Sequence, residues 1–301
     1  MSFAKSIKII LNAIHAHPLA SKHKSKAYFN LVKWQVSQLF SPGIKKINFI
    51  GNTVLLINKG MTGATGNIYC GLHDFEDMGF LLHFLREGDL FIDIGANVGS
   101  YSVLASGYCK AKSIAYEPLP HTFEHLKKNI EANNIFHLVK LKNTAVGSQK
   151  GTLKFTTNFD TVNHVLAASD KKNEDFINVL VCVLDIELEE EGLNNCIIKI
   201  DVEGFETEVL NGMENTLKNE EVKAIIIELN NSGTRYGYNE GEIHKKLLAN
   251  NFYPFSYNPF TRVLLKLDTH LSTNTIYVKD YVFVMQRLNT ARKISIFSES
   301  F

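Results

Sequence analysis

The chain reads as an α/β protein built on a largely parallel sheet with helices on both faces. Three observations carry this. Strand and helix patterns alternate from residue 88 to residue 250, the arrangement that joins parallel strands through crossover helices. The strand segments at 196–200 and 223–229 are apolar almost throughout, as burial on both faces requires. Two late strand candidates, 262–267 and 281–286, have no helix between them, which suggests an antiparallel edge.

Taken in order, residues 1 to about 40 have helical character and end near "SPG" at 41–43. Residues 44–70 suit strands and turns, with "MTGATGN" as a turn. A helix is expected over 76–86, stopped by Gly88. Strand 90–95, a glycine loop and helix 98–108 follow. Then come strand 113–117, helix 121–133 and strand 137–142. Strands 152–157 and 178–183 flank a polar stretch. Strand 196–200 opens into a helix, and strand 223–229 precedes helix 240–250. The expected division is an N-terminal helical and β extension over 1–70, a main domain over 71–290 and a tail over 291–301. No internal repeat or low-complexity linker interrupts it.

The 301 residues are 45% hydrophobic and 21% charged, enough apolar material for a substantial core. Cys70, Cys109, Cys182 and Cys196 are widely spaced, reading as reduced thiols, not as a zinc site or disulfide framework. No apolar run is long enough to span a bilayer. The net charge of +1 conceals an asymmetry: nine lysines precede the first acidic residue, Asp74, and the remainder carries 23 Lys+Arg against 31 Asp+Glu. A basic segment on an acidic body suits an anionic partner (a lipid surface, an acidic glycan or a nucleic acid) or simply a solvated face. In "FAKSIKIILNAI" the apolar Phe3, Ile7, Ile10, Leu11 and Ile14 share one helical face. That face suits a membrane interface or packing on the body. The expected location is cytoplasmic, at most peripheral to a membrane.

In an open parallel sheet, ligands bind at the carboxyl ends of the strands. "FIDIGANVGSYS" places Asp93 there, followed by Gly95 and Gly99, where backbone can approach a ligand without a Cβ between them. The next strand ends at Glu117, two dozen residues on, a position from which a carboxylate accepts hydrogen bonds from a ribose diol. The G-x-x-x-G spacing lacks the central glycine of a pyrophosphate cradle, which favours S-adenosylmethionine over a dinucleotide. "IIKIDVEGFETEVLNGM" brings Lys199, Asp201 and Glu203 to one strand end. Asp201 and Glu203 suit proton abstraction, a cofactor hydrogen bond or metal binding, or helix capping. Glu228 ends another apolar strand. His164, beside Asn163 in the polar stretch, is a base, a substrate contact or a surface residue.

Together "FIDIGANVGSYS", "AYEPLPHTFEHLKKNI", "NTAVG", "IIKIDVEGFETEVLNGM" and "AIIIELN" resemble the FkbM family of S-adenosylmethionine-dependent methyltransferases, over roughly 76–285. The resemblance implies the class I methyltransferase (Rossmann-like) fold: seven strands, mostly parallel, with one antiparallel strand at the edge. It implies O-methylation, typically of a sugar or polyketide hydroxyl. It implies cofactor contacts at Asp93, Gly95, Asn97, Gly99 and Ser100 in the loop, at Glu117 and Pro118, at Asn143 and Thr144, and at Asp201. The candidates for removing the acceptor's proton are Asp201, Glu203, Glu228 and His164, with Asp201 foremost. A divalent metal is conceivable but not expected. A non-catalytic adenosyl-binding protein and a nicotinamide oxidoreductase are the alternatives. A nucleic acid acceptor is not expected, because "DVEG" stands where a proline-aromatic tetrad would lie.

Overall fold

The computed structural model describes residues 3–157, 163–167 and 175–301. Its main sheet contains β1 (Leu90–Ile94), β2 (Lys112–Tyr116), β3 (Val139–Lys142), β4 (Cys196–Ile200), β5 (Val222–Glu228), β6 (Tyr253–Asn258), β7 (Val263–Lys266) and β8 (Asn274–Val278). The spatial order is β7-β6-β8-β5-β4-β1-β2-β3. β3, β2, β1, β4 and β5 run parallel. β8 is antiparallel to both β5 and β6, and β7 is antiparallel to β6. The fold is the expected one, but with eight strands instead of seven. Antiparallel pairing begins inside the sheet at β8 as well as closing its edge at β7.

Alternation along the strands makes two cores. Phe91, Ile197, Ala224 and Ile226 join one apolar cluster; Ile92, Ile198, Ile225 and Ile227 join the other. Both faces are therefore dry, as parallel strands without polar alternation require.

Two stretches differ from the sequence reading. Residues 281–286 are not a strand: Tyr281–Asn289 is a helix, started by Asp280, whose Oδ1 accepts from the Phe283 amide at 3.0 Å. Its Phe283 packs edge-on against Phe84. The strand of this region is β8, just upstream, and β6, which carries Pro254 within it, is a further strand beyond those expected from the sequence. The second stretch is "MTGATGN". The α-helices before β1 among the described residues are α1 (Phe3–Ala16), α2 (Lys24–Phe40), α3 (Thr62–Cys70) and α4 (Phe75–Phe84). α3 occupies the expected turn. Its two glycines lower helix propensity, but Ala64, Tyr69 and Cys70 are buried with Leu31 and Trp34 of α2, and packing prevails. The expected helix 98–108 is α-helical only over Ser100–Ser102 and continues as a π-helix over Val103–Tyr108.

The N-terminal segment is bonded to the main sheet's helices. Strands Lys45–Asn48 and Val54–Ile57 pair antiparallel. The second meets helix Pro120–Ala132, where Asn129 Oδ1 accepts from the Leu56 amide at 2.6 Å. Asn133 at that helix's end exchanges hydrogen bonds with the amide and carbonyl of Val54. In α1, Ile14 is buried and Ile10 and Leu11 pack on the same core, so these three side chains turn toward the body. Among the described residues, no helix is long and apolar enough to cross a membrane. Strands Gly151–Thr156 and Phe176–Cys182 form a smaller sheet with Ala145–Val146. Residues 158–162 and 168–174 of the polar stretch lie outside the described residues.

Candidate functional site

A cleft of about 310 Å³ opens at the carboxyl ends of β1, β2, β4 and β5, a volume typical of small-molecule sites. Asp93, Gly95, Asn97, Ser100, Glu117, Pro118, Thr144, Asp201, Glu203 and Glu228 line it.

The loop after β1 is shaped by its glycines. Gly95 has φ +81, and a Cβ there would stand 1.8 Å from the Asp201 carbonyl oxygen. Only glycine permits the loops after β1 and β4 to lie this close. Gly99 does not line the cleft; it precedes Ser100 in the left-handed region and packs beneath Leu126. Asn97, also at positive φ, turns its amide toward Glu117.

Glu117 is buried at the end of β2. Its Oε2 accepts from the Asn97 amide at 3.0 Å and its Oε1 from the Leu119 amide at 2.9 Å. Each oxygen retains acceptor capacity on the cleft wall. Burial pushes its pKa up to about 7, against the two amides. Asn143 is not on the wall; its side chain donates to the carbonyls of Glu117 and Pro118 at 2.8 and 3.0 Å, holding that turn in place. Thr144 is on the wall, with its hydroxyl donating to Leu180 O at 2.8 Å.

Asp93 is 1% exposed. Its Oδ2 accepts from Ser102 at 2.7 Å, and its Oδ1 is buried without a partner among the described residues. Its register partner on β4 is Lys199. Lys199 is itself buried, donates to Asp201 Oδ2 at 2.7 Å, and lies 4.8 Å from the centre of the Tyr101 ring. Burial pulls its pKa down, but Asp201 and Asp93 outweigh this and raise it. The same lysine opposes the burial that raises the Asp93 pKa.

Asp201, Glu203 and Glu228 each offer an oxygen within 4.8 Å of the others, a spacing that a divalent cation could bridge. Burial pushes Glu228 up to about 8, helped by the charges of Asp201 and Glu203. Glu203 is pushed up to about 7 by burial and then by Asp201 and Glu206. Glu203 sits at φ +55 and Gly204 at φ +103. A Cβ on Gly204 would meet the Ser232 backbone at 2.7 Å, so a tight turn aims the Glu203 carboxylate. Glu206 instead caps that turn, accepting from the amides of Val202 and Gly204. His164 does not line the cleft. It is buried beside strand Gly151–Thr156, with its amide donating to Thr156 Oγ1 at 3.0 Å. Its neighbour Asn163 does reach the cleft.

The sequence reading missed one wall, formed by Met61, Thr62, Gly63, Ala64, Asn67, His73 and Asp74. Asn67 accepts from the His73 amide at 2.7 Å, and the His73 ring lies on Gly66, where a Cβ would come within 2.1 Å of Nδ1. Asp74 accepts from the Tyr101 hydroxyl at 3.0 Å. Behind it, Asn274 donates to Asp77 at 2.9 Å, and burial pushes Asp77 up to about 7. The available signal was "HDFED": three acids within four positions, after 73 residues without one.

A family model described as the methyltransferase FkbM domain matches residues 93–254. The hexuronic acid methyltransferase AglP of Haloferax volcanii is 30% identical over 151 residues, 50% of this chain and 59% of that protein. The methyltransferase sdnD of Sordaria araneosa is 25% identical, across 46% of this chain and 66% of that one. The chain thus spans about three-fifths of the first relative's length. A crystal structure of methyltransferase FkbM from Methylobacillus flagellatus covers 74% of this chain and 55% of its own, at 12% identity and a TM-score of 0.44.

Proposed function

The chain belongs to the FkbM methyltransferase family, and from that premise we propose that it transfers a methyl group from S-adenosylmethionine to a sugar hydroxyl. The observation that carries the cofactor is Glu117, whose two carboxylate oxygens are fixed by backbone amides at the cleft wall. A vicinal diol is the ligand they suit. The unpartnered Oδ1 of Asp93 is an acceptor suited to the amino group at the other end of the same molecule, since a buried acceptor calls for a donor. The similarity to a hexuronic acid methyltransferase supports a sugar as acceptor.

When bound, the cofactor supplies an activated methyl on a sulfonium. The protein must then align the acceptor and take its proton. Asp201, the foremost candidate from sequence, is tied to Lys199, which weakens it as a base. Glu228 has no cation within salt-bridge distance among the described residues and is held near pKa 8. We assign it the proton, with Asp201 as the neighbouring charge that keeps it basic. Because the base must be ionised, kcat/KM is expected to rise with pH and level off above about 8. The midpoint belongs to the whole carboxylate cluster. A pH–rate profile flat from pH 6 to 9 would count against a carboxylate base.

Glu117→Ala should weaken S-adenosylhomocysteine binding by about 1.5–3 kcal/mol, the scale of a hydrogen bond to a charged group. Calorimetry on a folded variant checks this; unchanged affinity removes the assignment. The spacing of Asp201, Glu203 and Glu228 favours a second reading, in which a bridging divalent cation acidifies the hydroxyl. Chelation separates the two: turnover survives EDTA if Glu228 is the base and is lost if a cation does the work. Transfer of labelled methyl to sugars and glycan extracts tests the acceptor.

A further inference from the structure

Helix α2 has apolar side chains on two opposite sides. Ala27, Leu31 and Trp34 are buried against the body. On the other side Phe29, Val32, Val36, Leu39 and Phe40 recur at helical spacing, and they are 60%, 59%, 46%, 78% and 82% exposed. Single exposed apolar residues are ordinary, but a continuous stripe marks an interaction surface.

Charge indicates which partner fits. Lys26 and Lys33 stand one helical turn either side of Phe29, both exposed, with the Lys26 ammonium 5.8 Å from the Phe29 ring centre. The whole segment before Asp74 has nine lysines and no acid. A second copy of this face would bring like charges together, which is costly. An apolar stripe beside lysines on a helix too polar to cross a bilayer is instead the make-up of an interfacial helix. α1, the segment whose sequence first suggested this role, turns Ile10, Leu11 and Ile14 inward.

We propose that α2 docks the protein on an anionic phospholipid surface. The stripe from Phe29 to Phe40 enters the acyl boundary, and Lys26 and Lys33 meet the headgroup phosphates.

Co-sedimentation of the full chain with vesicles tests this. Phosphatidylcholine alone is compared with phosphatidylcholine containing about one-third phosphatidylserine. Binding is expected only to the anionic vesicles and should collapse at ~0.5 M salt, where surface charge is screened. Leu39→Gln/Phe40→Gln should abolish it, and Lys26→Gln/Lys33→Gln should weaken it about thirtyfold. All four side chains are exposed, so melting temperature and S-adenosylhomocysteine affinity should stay at wild-type values. Failure to sediment, equal binding to neutral vesicles, or wild-type binding by Leu39→Gln/Phe40→Gln overturns the proposal. So does a dimer, seen by light scattering, that this variant dissociates while the intact chain ignores vesicles.

Discussion

Glu228→Gln is expected to lower turnover by about 10²–10⁴-fold, the range for loss of a general base, while S-adenosylhomocysteine affinity stays within about twofold. The carboxylate ends β5, reaches the cleft and titrates high because burial and two like charges disfavour its ionisation. Gln keeps the shape and removes the proton acceptor. Asp201→Asn provides the contrast. Removing its charge relieves repulsion on Glu228, so the Glu228 pKa falls and the rising limb of the pH–rate profile moves to lower pH. If Asp201 were the base, that limb would vanish and turnover would collapse instead. Equal turnover in Glu228→Gln and wild type would return the role to Asp201 or Glu203.

Lys199→Met should destabilise the fold by about 3–5 kcal/mol, because it removes the neighbouring positive charge that offsets the burial of Asp93 and leaves that carboxylate uncompensated. Asp201 reaches solvent in part, but Asp93 does not: it is fully buried with one oxygen already unpartnered. In wild type Lys199 holds the Asp93 pKa below where burial would drive it. Without the lysine that pKa rises further. A carboxyl whose folded pKa is raised contributes stability at low pH and loses it as pH climbs through that pKa. The gap between variant and wild type should therefore widen from acid to neutral pH. Urea titrations across that range check it; a small, pH-independent gap would mean that Asp93 finds another donor.

The parts of the fold that were legible are those where local pattern and tertiary demand agree. β4 and β5 are runs of isoleucine that suit only a doubly covered strand. Asp93 and Glu117 could be placed because a strand end in a parallel sheet has a known direction. What was not legible depends on partners distant in the chain. "MTGATGN" has weak local preference, and α2 makes it helical. "YVFVMQ" has strand-like composition, but Asp280 caps it into a helix. Lys199 was visible as a polar residue in an apolar strand. Its place beside the buried Asp93, as well as Asp201, depends on the β1–β4 register, which no local spacing encodes.

The wall built by α3 and Asp74 has a consequence for how such proteins diversify. The family match begins at Asp93, so one side of the cleft comes from chain outside it. The carboxylates proposed to bind the cofactor and take the proton, by contrast, lie within it. A crossover near Gly88, in the loop before β1, would exchange the shape of the opening without touching that machinery. The constraint on a successful exchange is the seam: Tyr101 must find an acceptor where Asp74 now stands, and Ser100 a neighbour where Asn67 reaches it at 3.4 Å. Chimeras that keep these two contacts should inherit the acceptor preference of the upstream donor, and those that break them should lose folding before they change preference.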